Sequence, residues 1–240
     1  MNLDKINDEN LKKSCIELEK IVLNLSKEKN IDFNVHKAKV CVCLDYSGSM
    51  SGEYSSGRVQ RVLNRLVPLA LKFDDNGELD VILFQNGCKE LKPITLENYS
   101  DYVKKVIDKS GYSMGGTEYA PAIKKLISNY GTPKGVLSIF KQKNNSDEVA
   151  FVIFITDGEN CDKYDTDKAI IESSKENIFI QFVGIGNETF KYLQKLDDLS
   201  GRKHDNTGFI KVKDFEKISD EEVYTQLLSQ YPDWLKSIGL

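Results

Sequence analysis

The sequence predicts an α/β protein with a mostly parallel central sheet, helices on both faces and one antiparallel strand at an edge. Three observations carry that prediction. Val40–Leu44, Val149–Thr156 and Ile178–Ile185 are short, nearly unbroken apolar runs, the pattern of strands buried on both faces. Segments with apolar residues at helical period alternate with these runs, the order that builds a covered parallel sheet. Asn86-Gly87 is a two-residue hairpin signal, so the strand after it folds back antiparallel.

Taken in order, residues 3–29 read as one helix. Leu11, Cys15, Leu18, Val22 and Leu25 recur at helical spacing, which gives the helix one apolar stripe. The stripe suits packing on the helix's own domain, with a partner-binding helix as the alternative. This lead-in covers residues 1–33, ahead of a main domain at 34–240. Val35–Leu44 is the first strand. Ser51–Gly57 reads as a mobile Gly/Ser segment and Val59–Phe73 as a helix. Asp74-Asp75-Asn76-Gly77 ends that helix with turn residues. Leu79–Gln85 is a strand, Cys88–Thr95 its hairpin partner, and 98–109 a helix. The glycine-rich stretch Gly111–Tyr119 opens a helix through Ile123, Leu126 and Ile127. Residues 131–147 read as a polar excursion. The strand Val149–Thr156, a helix at Asp165–Asn177 and the strand Ile178–Ile185 follow. Phe190–Leu199 is a helix and Gly208–Val212 an edge strand. Asp220–Leu240 is a closing helix interrupted by Pro232.

Composition narrows the function. The 240 residues are 40% hydrophobic and 29% charged, ordinary for a globular protein. A net charge of -4 argues against a nucleic-acid surface, which needs a basic excess. No apolar run reaches the length of a transmembrane segment. The first residues lack the basic and then apolar regions of a signal peptide. Five cysteines at irregular spacing form no disulfide framework, and Cys41 and Cys43 read as buried thiols of one strand. A cytoplasmic protein is the expectation.

The chemistry gathers at strand ends. Asp45, Ser47 and Ser49 stand at i, i+2 and i+4 on a tight loop after the first central strand. In open α/β sheets the carboxyl end of the strands is where ligands bind. Gly48 permits the turn that aims all three side chains at one point. Thr117 follows Gly115-Gly116 and opens a helix, and Asp157 follows the second central strand. Loops at adjacent strand ends lie side by side, so these five oxygen-bearing residues can meet. Hydroxyls and carboxylates with no Cys or His pair suit Mg²⁺ rather than zinc. Mn²⁺ and Ca²⁺ stay open as alternatives. Helix capping by a Ser/Gly loop is the plainer reading of the same residues.

Asp45-x-Ser47-x-Ser49, with Thr117 and Asp157-Gly158, resembles the metal-ion-dependent adhesion site (MIDAS) of the von Willebrand factor type A (VWA) domain. The resemblance covers roughly residues 35–215. It implies a Rossmann-like fold with Ser47, Ser49 and Thr117 as hydroxyl ligands. Asp45 and Asp157 would act mainly through metal-bound waters. Several stretches are similar to the bacterial TerF-like branch, which is associated with tellurite and other stress resistance. They are the Val59–Phe73 helix with Asp74-Asp75, then Leu79-Asp80-Val81, Gly115 to Pro121, Gln181 to Asn187, and Tyr231-Pro232-Asp233-Trp234-Leu235. Many members of that branch carry a TerD-like domain ahead of this one, which this sequence does not supply; that loosens the tie to tellurium.

The resemblance implies a non-enzymatic, metal-dependent protein-interaction module. The ion would keep one coordination position open for an Asp or Glu of a partner protein. Glu53, Tyr54, Met114, Tyr119, Asn160 and Cys161 surround the motif in sequence and would tune partner choice. A scaffold acting through the N-terminal helix is an alternative. A Mg²⁺-dependent phosphatase with Asp45 as nucleophile is another, but Ser47 stands where such enzymes place a second Asp. Gly52–Val59 has the glycine spacing of a phosphate loop, with Arg58-Val59 where Lys and Ser/Thr are required.

Overall fold

The computed structural model describes residues 3–33, 35–132 and 148–240. Its centre is a six-stranded sheet. The strands are β1 (Ala38–Asp45), β2 (Leu79–Phe84), β3 (Cys88–Ile94), β4 (Val149–Thr156), β5 (Ile178–Ile185) and β6 (Thr207–Val212). They lie in the order β3-β2-β1-β4-β5-β6. Only β3 runs antiparallel, paired to β2 across the Asn86-Gly87 turn. The other four pairings are parallel.

Alternation along the strands divides the core into two layers. Val40, Val42 and Leu44 of β1 point to one face with Phe151, Ile153 and Ile155 of β4. Cys41 and Cys43 point to the other with Ala150, Val152 and Phe154. Both thiols are fully buried, as expected. The first layer is covered by α1 (Glu9–Lys29), α3 (Arg58–Phe73), α7 (Asp220–Leu227) and α8 (Tyr231–Ser237). The second is covered by α4 (Ala120–Tyr130), α5 (Lys163–Ser173) and α6 (Lys191–Asp197).

Local chemistry explains where elements depart from the sequence reading. Helix α1 starts at Glu9, because the Asp8 carboxylate accepts the N–H groups of Asn10 at 2.8 Å and Leu11 at 3.1 Å, an N-cap. Leu3–Lys5 forms a separate 3₁₀ turn. The expected mobile stretch at Ser51–Gly57 is instead a short helix, α2 (Ser51–Ser55). Tyr54 anchors it: the ring packs edge-on against Tyr46 and the hydroxyl donates to the Asp45 carbonyl at 2.9 Å. Residues 98–109 are not a regular α-helix. A 3₁₀ turn at Tyr99–Asp101 leads into a π-helical turn at Val103–Ile107. There the Val103 N–H donates to the Gln60 side chain at 2.8 Å, and Asp108 N–H reaches back five residues to the Val103 carbonyl. The closing helix divides into α7 and α8, and Pro232 sits in the first turn of α8, where a missing N–H costs nothing. Of the polar excursion read at 131–147, residues 133–147 lie outside the described residues.

Register places the candidate site. Leu44 pairs with Ile155, so the next residues, Asp45 and Thr156, emerge side by side at the carboxyl edge. Asp157 is one residue further on.

Candidate metal centre

Four of the five expected residues form one chain of hydrogen bonds. The Asp45 Oδ1 accepts the Ser47 backbone N–H at 2.8 Å. The Ser47 and Ser49 hydroxyls are 3.0 Å apart. Ser49 Oγ donates to Asp157 Oδ1 at 2.8 Å. Asp45 and Ser47 are buried, Asp157 is half-buried and Ser49 is exposed. The chain of oxygens therefore climbs from the sheet edge to solvent.

Thr117 is brought to the same place through backbone. Gly115 forms a parallel bridge with Ser47: Gly48 N–H donates to the Gly115 carbonyl at 3.0 Å, and Gly115 N–H to the Tyr46 carbonyl at 3.3 Å. Cys161 N–H donates to the Thr117 carbonyl at 3.0 Å. Thr117 is thus held between the loop after β1 and the loop after β4. Among the described residues its hydroxyl makes no hydrogen bond to the other four. It does not open the helix, which begins at Ala120. The Asp162 carboxylate caps that helix instead, accepting the Tyr119 N–H at 3.0 Å and the Ala120 N–H at 2.8 Å. The glycines before Thr117 lie close against the Gln85 and Asn86 side chains. A Cβ on Gly115 would come within 2.2 Å of the Gln85 amide oxygen, and one on Gly116 within 2.8 Å of the Asn86 amide nitrogen.

Thr156 is a site residue that the sequence reading missed. Its hydroxyl donates to Asp45 Oδ2 at 2.6 Å, and Tyr119 OH lies 3.2 Å from the same hydroxyl. Tyr119 also donates to the Gly158 carbonyl at 2.5 Å. As the last residue of an apolar strand, Thr156 looked like a strand-end threonine. Its contact with Asp45 follows from β1–β4 register, which leaves no local signature in the sequence. Among the six surrounding residues expected to tune a partner, Tyr54, Tyr119 and Asn160 are buried. They support the loops from beneath and present no surface. Glu53, Met114 and Cys161 are at least partly exposed.

Electrostatics at the site are one-sided. Burial pushes the Asp45 carboxyl up to about 6; hydrogen bonds from Ser47 and Thr156 pull the other way and the Asp157 charge adds to the rise. Burial also raises Asp157, opposed by the Ser49 hydrogen bond and reinforced by Glu53 and Glu188. Neutral hydroxyls and an amide N–H donate to the two carboxylates. The donor set is oxygen only, and oxygen suits a hard divalent ion. Among the described residues no group of three or more His, Cys, Asp or Glu side chains is placed to hold a metal. An ion here would therefore depend on the hydroxyls.

A family model described as vWA-TerF-like, the vWA found in the TerF C terminus, matches residues 37–239. The chain is 40% identical over 202 residues to an uncharacterised protein of Bacillus subtilis, YcbR, covering 83% of this chain and 78% of that one. Solved structures share the fold. Proximal thread matrix protein 1 of the mussel byssus aligns with a TM-score of 0.58 and 18% identity over 82% of this chain, which spans 48% of the mussel chain. Manganese-loaded Plasmodium vivax TRAP aligns with a TM-score of 0.55 and 17% identity, over 81% of this chain and 72% of that one. The SpRpn10 VWA domain aligns with a TM-score of 0.51 and 14% identity, over 80% of this chain and 95% of that one.

Proposed function

Because the chain belongs to the vWA-TerF-like family, we propose that it is a metal-dependent protein-interaction module. Its ligand would be an acidic side chain of a partner protein. The observation that carries this reading is the run of hydrogen bonds from Asp45 through Ser47 and Ser49 to Asp157, which gathers two carboxylates and two hydroxyls at the carboxyl edge of the sheet. Ser47, Ser49 and Thr117 would hold the ion, and Asp45 and Asp157 would orient its water shell. When bound, the ion supplies an electrophilic position that a carboxylate can fill. Mg²⁺ is the ion of this proposal, with Mn²⁺ or Ca²⁺ as alternatives; a structural relative is manganese-loaded. The family's TerF connection supports a setting in bacterial tellurite or other chemical stress, in the cytoplasm. Among the described residues no helix is long and apolar enough to cross a membrane.

The chain's residues favour binding over catalysis. The Asp45 side chain is buried, and both of its oxygens are occupied, by the Ser47 N–H and the Thr156 hydroxyl. A phosphatase nucleophile has to be presented to its substrate. The scaffold alternative needs a free face on α1. Leu11, Cys15, Leu18 and Val22 of that helix are buried in the chain's own core, which leaves Ile16 and Leu23 as its exposed large apolar residues.

The test is a pull-down from native cell lysate in Mg²⁺ and in chelator, with Asp45→Asn as control. Proteins retained only by the wild-type chain and only with metal are expected. The same proteins in every lane would refute the metal-dependent mechanism.

A further inference from the structure

Tyr119 is fully buried beneath the candidate metal centre. It stands two residues after Thr117 and immediately before α4. Three aromatic rings fix its side chain. Phe84 at the end of β2 and Phe154 of β4 lie edge-on at 5.7 and 5.1 Å, and Phe182 of β5 lies at 6.5 Å. A ring held on three sides in a close-packed interior has no room to swing. Its hydroxyl is therefore a fixed point under the loops.

That hydroxyl meets both chain neighbours of Asp157. It donates to the Gly158 carbonyl at 2.5 Å and lies 3.2 Å from Thr156 Oγ1. Thr156 in turn donates to Asp45 Oδ2 at 2.6 Å, and the Gly158 N–H donates to Thr156 Oγ1 at 3.3 Å. One side chain thus joins the segment of Thr117, the loop of Asp157 and, through Thr156, the carboxylate of Asp45. Other ties between these segments start from exposed residues: Gly48 N–H to the Gly115 carbonyl, Cys161 N–H to the Thr117 carbonyl, and Ser49 Oγ to Asp157. A hydrogen bond shielded from water holds more strongly than one at the surface.

Spacing of the oxygen donors decides which ion fits. Mg²⁺ demands a near-ideal octahedron at roughly 2.0–2.1 Å, whereas Ca²⁺ accepts flexible surroundings at roughly 2.3–2.6 Å. We infer that Tyr119 is a positioning residue that fixes the spacing of the three ligand-bearing segments and so sets a preference for a small divalent ion, Mg²⁺ or Mn²⁺, over Ca²⁺; this rests on the function proposed above. Tyr119 acts from below, through the peptides on either side of Asp157, and does not touch the ion.

The test sets Mg²⁺, Mn²⁺ and Ca²⁺ against one another on the full chain, with Mn²⁺ followed by water-proton relaxation and the other two by competition. The wild-type chain should prefer Mg²⁺ and Mn²⁺ to Ca²⁺. Tyr119→Phe keeps the ring and removes the hydroxyl. It should lose about ten-fold in Mg²⁺ and Mn²⁺ affinity, the usual effect of removing a group behind the ligands. Its Ca²⁺ affinity should hold, so the preference shrinks by the same factor. In chelator its Gly158 amide should exchange faster than in the wild type, a readout that needs no metal. Tyr224→Phe is the control. It removes an equally buried hydroxyl in the other core layer, the donor to the Arg65 carbonyl at 2.9 Å. It should lower the melting temperature and leave the preference unchanged. Phe84→Leu loosens the seat of the ring and keeps the hydroxyl. It should shift the preference part of the way, a second measure if Tyr119→Phe does not fold. An unchanged preference in Tyr119→Phe, or an equal change in Tyr224→Phe, overturns the assignment to Tyr119 and leaves the metal reading standing. Wild-type binding of Ca²⁺ as tight as that of Mg²⁺ overturns the selectivity and leaves a metal site of another kind. No binding of any of the three ions by the wild-type chain overturns this proposal and the metal reading together.

Discussion

Asp45 contributes a measurable instability to the metal-free chain. Its folded pKa, about 6, lies above the ordinary value of 3.8, so the folded state holds the proton to higher pH than the unfolded chain does. Stability therefore falls as pH rises from about 4 to about 6 and then levels off, a loss on the order of 3 kcal/mol. Asp157 shifts in the same direction. A metal ion needs the ionised carboxylates, so its affinity should rise across the same window. Asp45→Asn should remove the Asp45 share of the slope, raise metal-free stability at pH 7 and abolish metal binding. Thermal melts in chelator from pH 4 to 7 check this, and a variant no more stable than wild type at pH 7 would contradict it. At this scale the sequence was informative about the ligands and silent about their support. Asp, Ser and Ser at alternate positions after an apolar run marked a loop with oxygen donors. That Thr156 holds Asp45 depends on β1–β4 register, which has no local signature.

Among the elements, α4 shows how a loop far away in sequence fixes the site. Its first amides are capped by Asp162, 42 and 43 residues downstream of Ala120 and Tyr119 respectively. The same carboxylate accepts from Asn160 at 2.6 Å and Thr166 at 3.1 Å, so one residue joins α4, α5 and the loop after β4. Asp162→Ala should cost about 1 kcal/mol or somewhat more through loss of the cap. It should also weaken metal binding, because Thr117 precedes the uncapped amides by two residues. Urea unfolding and a metal titration of the variant measure the two effects; unchanged metal affinity would separate the cap from the site. The strands were legible because double-sided burial leaves continuous apolar runs, and the amphipathic α3 was legible by its period. The turn at Val103–Ile107 was not, since a Gln60 side chain from another helix takes the amide that would have started a regular helix. Nor was α2, whose order rests on Tyr54 reaching the Asp45 carbonyl.

For the whole molecule, α1 is part of the fold that supports the site rather than an arm reaching outward. Its buried stripe packs against α3, α7 and α8. Polar ties reinforce it: Lys72 pairs with Glu19 at 2.9 Å and Lys29 with Asp233 at 2.8 Å. Deleting residues 1–30 would expose that layer, so the truncated chain should melt at lower temperature and bind a hydrophobic dye. A truncated chain with an unchanged melting temperature would favour the scaffold reading. The helical period of α1 was visible in the sequence; which surface it covers was not, because the partner residues are spread over three distant helices. Across the sheet, parallel order brings the ends of β1 and β4 together, and the loop at Gly115 is bridged to Ser47 beside them. That geometry supports the proposal that Ser47, Ser49 and Thr117 hold one divalent ion while Asp45 and Asp157 orient its water shell. The most direct measurement is Mn²⁺ titration at pH 7, followed by water-proton relaxation, on the wild-type chain and on Ser47→Ala, Ser49→Ala, Thr117→Ala and Asp157→Asn. One Mn²⁺ per chain, displaced by Mg²⁺ and weakened by each substitution, is the expected result. No stoichiometric binding, or binding that all four substitutions leave intact, would rule out a divalent ion at these residues.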